Sequence, residues 1–213
     1  MGGNNRLYEV NLILTVDNDP ELSKLTDYLR HESFPDSEVW YRLGMVLIKM
    51  GQFDKAEDIY QVLLNQTKDD EDKSHIYHLL GSIKKDQGEY QEALTFYEKS
   101  LASYRNIFPP NHPNLTMSYN NIALVHYNIG NYPKALSYYE KTLEIQHQSL
   151  PPNHSDFAGS YNDIGLMHDD MGNYSKALSS YKEALEIKQQ SLPPDHPHLA
   201  ASYDNIGVGV IYK

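Results

Sequence analysis

Three histidines, His112, His154 and His196, recur at a constant interval of 42 residues, each directly after a Pro-Pro-Asn or Pro-Pro-Asp step. Imidazole nitrogens bind metals and move protons, so a periodic set of them raises the question of a zinc site. Spacing argues against it. Equivalent atoms in stacked helical units lie roughly 8–10 Å apart, whereas a zinc–nitrogen bond is about 2 Å. The histidines are therefore assigned to linker structure. The chain has no cysteine, which removes thiolate nucleophiles, disulfides and Cys-based zinc sites. No Gly-rich phosphate loop follows a strand, and the remaining histidines and carboxylates fall at repeat positions. No catalytic, cofactor-binding or metal-binding constellation is assigned, and the chain is read as non-enzymatic.

Charge narrows the partners. Lys plus Arg number 18 against 29 Asp plus Glu, a formal charge of −11, which argues against a grip on phosphate backbones and hence against nucleic acid. The opening MGGNNRLYEV lacks the apolar core of a signal peptide, and no run is long enough to cross a bilayer. A cytoplasmic location without membrane contact is expected. Four Asn-x-Ser/Thr triplets, at Asn65, Asn114, Asn153 and Asn173, are read as chance matches.

The elements that position these residues follow from a period. Small residues after an apolar one stand at Gly44, Gly81, Ala123, Gly165 and Gly207, at intervals of 37, 42, 42 and 42. Such a period signals a stacked repeat array. Four residues before each comes an aromatic: Trp40, Tyr77, Tyr119, Tyr161 and Tyr203. Seven after it comes Gly51, Gly88, Gly130 or Gly172, then Phe53, Tyr90, Tyr132 or Tyr174. Ala56, Ala93, Ala135 and Ala177 follow, and four residues later Tyr60, Tyr97, Tyr139 and Tyr181.

The spacing predicts helix, tight turn, helix. The small residue lets the second helix approach, with a bulky Tyr or Trp filling the space beside it. The glycine ends the first helix in a left-handed conformation, and Pro133 occupies the first turn of a second helix. The linkers, roughly Leu101 to His112, Leu143 to His154 and Leu185 to His196, read as helical extension, a Pro-Pro stop, and a cap from Asn111, Asn153 or Asp195.

This pattern resembles the tetratricopeptide repeat (TPR), and its 42-residue version with "YNNI" and "LPPNH" is similar to the repeats of kinesin light chains. The resemblance implies an all-α, right-handed superhelical solenoid over residues 37–213. Its units would span about 37–70, 74–115, 116–157 and 158–199, with a partial one at 200–213. It also implies a scaffold or adaptor that binds a protein or peptide in its concave groove. By analogy with that fold, the groove wall is Tyr41, Arg42, Met45 and Lys49 from the first unit and His75, His78, Ser82 and Lys85 from the second. Asn120, Asn121, Leu124, Tyr127 and Asn128 come from the third, and Asn162, Asp163, Leu166, Asp169 and Asp170 from the fourth. Such a wall runs from basic through amide to acidic. Asparagines can both donate to and accept from a peptide backbone, while a carboxylate-clamp mode finds only Arg42, Lys49 and Lys85 as basic residues.

The segment 1–36 does not repeat. "RLYEVNLILTV" alternates as a β-strand, and "DNDPELSKLTDYLRHES" reads as a turn and short helix. "LYEVNLILTVDNDPEL" resembles the C-terminal end of arginine-type ADP-ribosyltransferase domains that precede TPRs. That resemblance implies an alternative role, a substrate-recruiting repeat region whose catalytic Arg, Ser-Thr-Ser and Glu-x-Glu lie upstream; no Glu-x-Glu occurs in this chain. At the other end "GVGVIYK" leaves Val208, Val210 and Ile211 without a second helix to pack on, and fraying or self-association through this helix is expected.

Overall fold

Apolar residues three and four apart, broken at regular intervals by glycine or a Pro-Pro pair, fold into consecutive α-helices. The computed structural model describes residues 37–211. Among these, nine helices follow one another: α1 Ser37–Lys49, α2 Phe53–Gln66, α3 Asp70–Asp86, α4 Tyr90–Ile107, α5 Asn114–Asn128, α6 Tyr132–Ser149, α7 Ser155–Asp170, α8 Tyr174–Ser191 and α9 Pro197–Ile211. The strand and short helix expected within residues 1–36 lie outside the described residues. Each helix packs chiefly on its neighbours in sequence, so the array is an all-α solenoid of hairpins α1–α2, α3–α4, α5–α6 and α7–α8, followed by α9. The first helices begin a few residues ahead of the boundaries set by the period: Asp70 before 74, Asn114 before 116, Ser155 before 158 and Pro197 before 200.

The hairpin turns are built as the glycine spacing predicts. At the end of α5, Gly130 N donates to Tyr127 O and Asn131 N to His126 O, both at 2.8 Å, and Gly130 takes φ 82°. These two bonds cover the last carbonyls of the helix and need a left-handed residue at the glycine. The same pair of bonds closes α1, α3 and α7. Pro133 sits in the first turn of α6.

The linkers correct one expectation. The capping atoms are supplied by the histidines, not by Asn111, Asn153 or Asp195. His112 Nδ1 accepts from Asn114 N at 3.2 Å, His154 Nδ1 from Asp156 N at 3.3 Å and His196 Nδ1 from His198 N at 3.2 Å. The reason lies in the preceding turn: His112 N, His154 N and His196 N reach back to Pro109 O, Pro151 O and Pro193 O. That geometry consumes the Asn or Asp inside the turn and leaves the histidine directly before α7 and α9, and one residue further back, before Pro113, at α5. Asn153 takes φ 65° there, a left-handed state asparagine tolerates. The Phe108 ring stacks on His112 with centroids 4.0 Å apart.

The core also differs in one respect. The knob against the small residue is the tyrosine of the second helix, not the aromatic four residues earlier in the first. A Cβ built on Gly44, Gly81 or Gly165 would fall 2.5 Å from Tyr60, 2.8 Å from Tyr97 or 2.6 Å from Tyr181. These rings are buried, whereas of the first-helix aromatics Trp40, Tyr77 and Tyr161 are half-buried, Tyr203 is exposed and Tyr119 alone is buried. Burying one such side chain contributes about 1.5–3 kcal/mol. Desolvation pushes the Tyr181 hydroxyl pKa up to about 12.

Candidate functional site

The first-helix residues fall into vertical columns because the repeat places equivalent positions one above another. Counted from the small residue, one column reads Tyr41, His78, Asn120, Asn162 and the next Arg42, Leu79, Asn121, Asp163. A cleft of about 610 Å³ opens between α5 and α7. Its walls are Thr116, Met117, Asn120 and Asn121 of α5, Gln146 of α6, and Ser155, Asp156, Gly159, Ser160 and Asp163 of α7. The structure thus brings Asn120, Asn121 and Asp163 together.

Each wall group has a defined state. Asn120 Oδ1 accepts from Thr142 Oγ1 at 2.7 Å, which ties this amide to α6. Asn121 Nδ2 donates to Met117 O at 2.8 Å and lies 3.5 Å from His78 Nδ1, while its Oδ1 accepts no bond among the described residues. Burial lowers the His78 pKa to about 4, with His75 and Lys85 adding to the shift. Burial alone raises the Asp163 pKa to about 6. Gly159 is exposed, and a Cβ there would meet nothing within 4 Å.

Gln146 was not visible from the first-helix pattern. It belongs to a second helix, is 7 % exposed, and lines the cleft. Its Oε1 accepts from Ser160 Oγ at 2.7 Å, and its Nε2 makes no hydrogen bond among the described residues. The signal available in sequence was its column, Tyr104, Gln146, Lys188, which changes from aromatic to amide to cation at a buried seam.

The other predicted wall residues lie elsewhere. Tyr41 and His75 border a separate cavity of about 560 Å³ with Leu63, Gln66, Thr67, Asp72 and Ile76. Tyr41 also stacks edge-on against Tyr60 at 5.9 Å and accepts through its carbonyl from the Tyr60 hydroxyl. Arg42 and Lys49 are exposed, and Lys85 pairs with Asp86 at 3.1 Å. Tyr127 packs on Tyr132 at 5.8 Å, Leu124 is half-buried, and Asn128 and Leu166 are exposed. The Asn162 Oδ1 and Asp169 Oδ1 atoms are buried without a hydrogen-bond partner. No helix of the described residues is long and apolar enough to cross a membrane.

Comparison with known proteins agrees with this architecture. Profiles of the tetratricopeptide repeat match residues 39–74, 72–148 and 157–198. The photosystem I assembly protein Ycf3 of Rippkaea orientalis is 30% identical over 89 residues, 42% of this chain and 47% of that protein. The chain spans about half the length of the curated relatives it matches. Among solved structures, a Podosopora anserina protein of kinesin light chain type with nearly identical TPR-like repeats aligns with TM-score 0.71 at 18% identity, covering 82% of this chain and 85% of that one. BtubC (BKLC) from P. vanneervenii aligns with TM-score 0.74 at 19% identity, covering 100% of this chain and 84% of that one. With three matched stretches that together span more than half its length and hairpins closed by glycine and tyrosine at the repeat period, the chain belongs to the tetratricopeptide repeat family.

Proposed function

We propose that this chain is a protein-binding scaffold that takes an extended peptide across its first helices, centred on the cleft between α5 and α7. The observation that carries the reading is the composition of that cleft. Its amides come from two helices, α5 and α6, with an accepting Oδ1 on Asn121 and a donating Nε2 on Gln146 left unused among the described residues. An extended peptide presents alternating N–H and C=O groups that need such partners. The cleft's rigidity comes from buried bonds, Thr142 to Asn120 and Ser160 to Gln146, so little side-chain entropy is lost on binding. The Ycf3 relatives are assembly proteins by name, which agrees with a role in bringing proteins together.

Gly159 gives a direct test. Substitution Gly159→Leu adds a side chain into open space on the cleft wall and replaces a poor helix former, so the fold is retained. Capture from a displayed peptide library by the unaltered chain should yield binders that Gly159→Leu no longer retains, with unchanged helical circular dichroism. Binders held equally by both proteins would place the peptide site elsewhere.

A further inference from the structure

The cleft carries two carboxylates and no lysine or arginine in its walls among the described residues. Asp156 and Asp163 both line it, seven residues apart and so on one face of α7. Asp156 has His154 Nδ1 at 3.6 Å, but no ion pair among the described residues reaches Asp163. Gln146 lines the same cleft; its Oε1 is held by Ser160 Oγ, and its Nε2 makes no hydrogen bond among the described residues. A half-buried carboxylate left open calls for a cation.

Resting on the peptide reading above, we propose that the segment bound between α5 and α7 is basic: a Lys or Arg side chain lies against the Asp163 carboxylate while its backbone carbonyl accepts from Gln146 Nε2. The column that contains Asp163 supports the sign. It runs Arg42, Leu79, Asn121, Asp163, Asn205, so only Asp163 offers a carboxylate. Burial already raises the proton affinity of that carboxylate, the mark of a charge lacking a counter-ion. The ligand's cation supplies it in a partly water-excluded cleft, where charge-assisted hydrogen bonds are stronger than neutral ones.

The probes are synthetic extended peptides identical except at one central position, occupied by Lys, Arg, norleucine, Gln or Glu. Fluorescence anisotropy with the whole chain should show the Lys and Arg forms binding about tenfold tighter than norleucine, a factor equal to about 1.4 kcal/mol. The Glu form should be weakest. Asp163→Asn, which keeps shape and removes charge, should abolish the preference for Lys and Arg while leaving norleucine binding in place. Equal binding of all five forms overturns the basic-segment proposal and leaves the peptide cleft standing. Preserved Lys preference in Asp163→Asn moves the cation to another carboxylate and also overturns it. Failure of the unaltered chain to bind any form overturns both readings.

Discussion

Hairpins α5–α6 and α7–α8 repeat one another at a spacing of 42 residues, yet matched positions beside the cleft set them apart. In the first, Asn120 Oδ1 receives the Thr142 hydroxyl; in the second, the position of Thr142 is taken by the fully buried Ala184, and Asn162 Oδ1 is buried without a partner among the described residues. One position later, Asn121 of the third unit becomes Asp163 of the fourth. The positions that close the hairpins do not vary in this way. Ala135 and Ala177, Tyr139 and Tyr181, Gly130 and Gly172 keep their identities and their roles. Side chains that hold helix to helix are constrained by packing, whereas those facing the cleft are free of that constraint.

The largest effect should come from breaking what the two hairpins share. Tyr139→Ala and Tyr181→Ala each remove a buried ring and should cost about 3–5 kcal/mol, read from urea midpoints and from hydrogen exchange in the affected hairpin. Similar losses confirm a common frame. A loss below about 1 kcal/mol in either would mean that hairpin is not closed on its tyrosine.

A middle-sized effect should come from exchanging what differs. Thr142→Ala makes the third unit resemble the fourth and strands Asn120 Oδ1, at a cost of about 1–3 kcal/mol. The reverse change, Ala184→Ser, gives Asn162 a donor and should stabilise on the order of 0.5 kcal/mol after the lower helix propensity of serine is counted. If Ala184→Ser destabilised the chain, close packing around that alanine would outweigh the orphaned carbonyl.

The smallest effect is set by pH. His126 and His168 are buried with Nδ1 unpartnered, and burial lowers both pKa values, with Lys134 and Lys176 adding and Glu98 and Glu140 opposing. A lowered histidine pKa means the unfolded chain takes the proton first, so stability falls as pH drops below about 6.5. Asp163 acts in the opposite direction: its pKa of about 6 lets the folded chain take a proton that the unfolded one takes only lower, so stability is gained as pH falls through 6. The two shifts offset each other in α7–α8, while α5–α6 has His126 without a matching carboxyl. Hydrogen exchange at pH 5 against pH 7, corrected for intrinsic rates, should show a larger loss of protection in α5 than in α7. Equal losses would remove the Asp163 contribution.

The fold was legible because it depends on local rules repeated four times. Gly51, Gly88, Gly130 and Gly172 sit where a left-handed residue must be, and alanine or glycine recurs wherever two helices touch. Two readings failed for reasons of geometry. Asn111, Asn153 and Asp195 are good capping residues by type, but a turn closing on the prolines moved the cap onto histidine. The aromatics at the first-helix position are large enough to fill a gap, but the ring from the opposite helix reaches it first.

The candidate site was legible only in part, and the division follows from where its groups come from. Asn120, Asn121 and Asp163 could be placed from repeat position, since equivalent residues on consecutive first helices share a face. Gln146 could not, because it reaches the cleft from a second helix through a seam that sequence periodicity does not describe. By itself, the order of small, aromatic, glycine and alanine residues determined helix lengths, turns and stacking, all set by contacts a few residues or one repeat apart. Which side chains spend their hydrogen bonds internally, and which keep a donor, an acceptor or a charge unspent, was decided by the tertiary structure, because that depends on the distance between atoms of different helices.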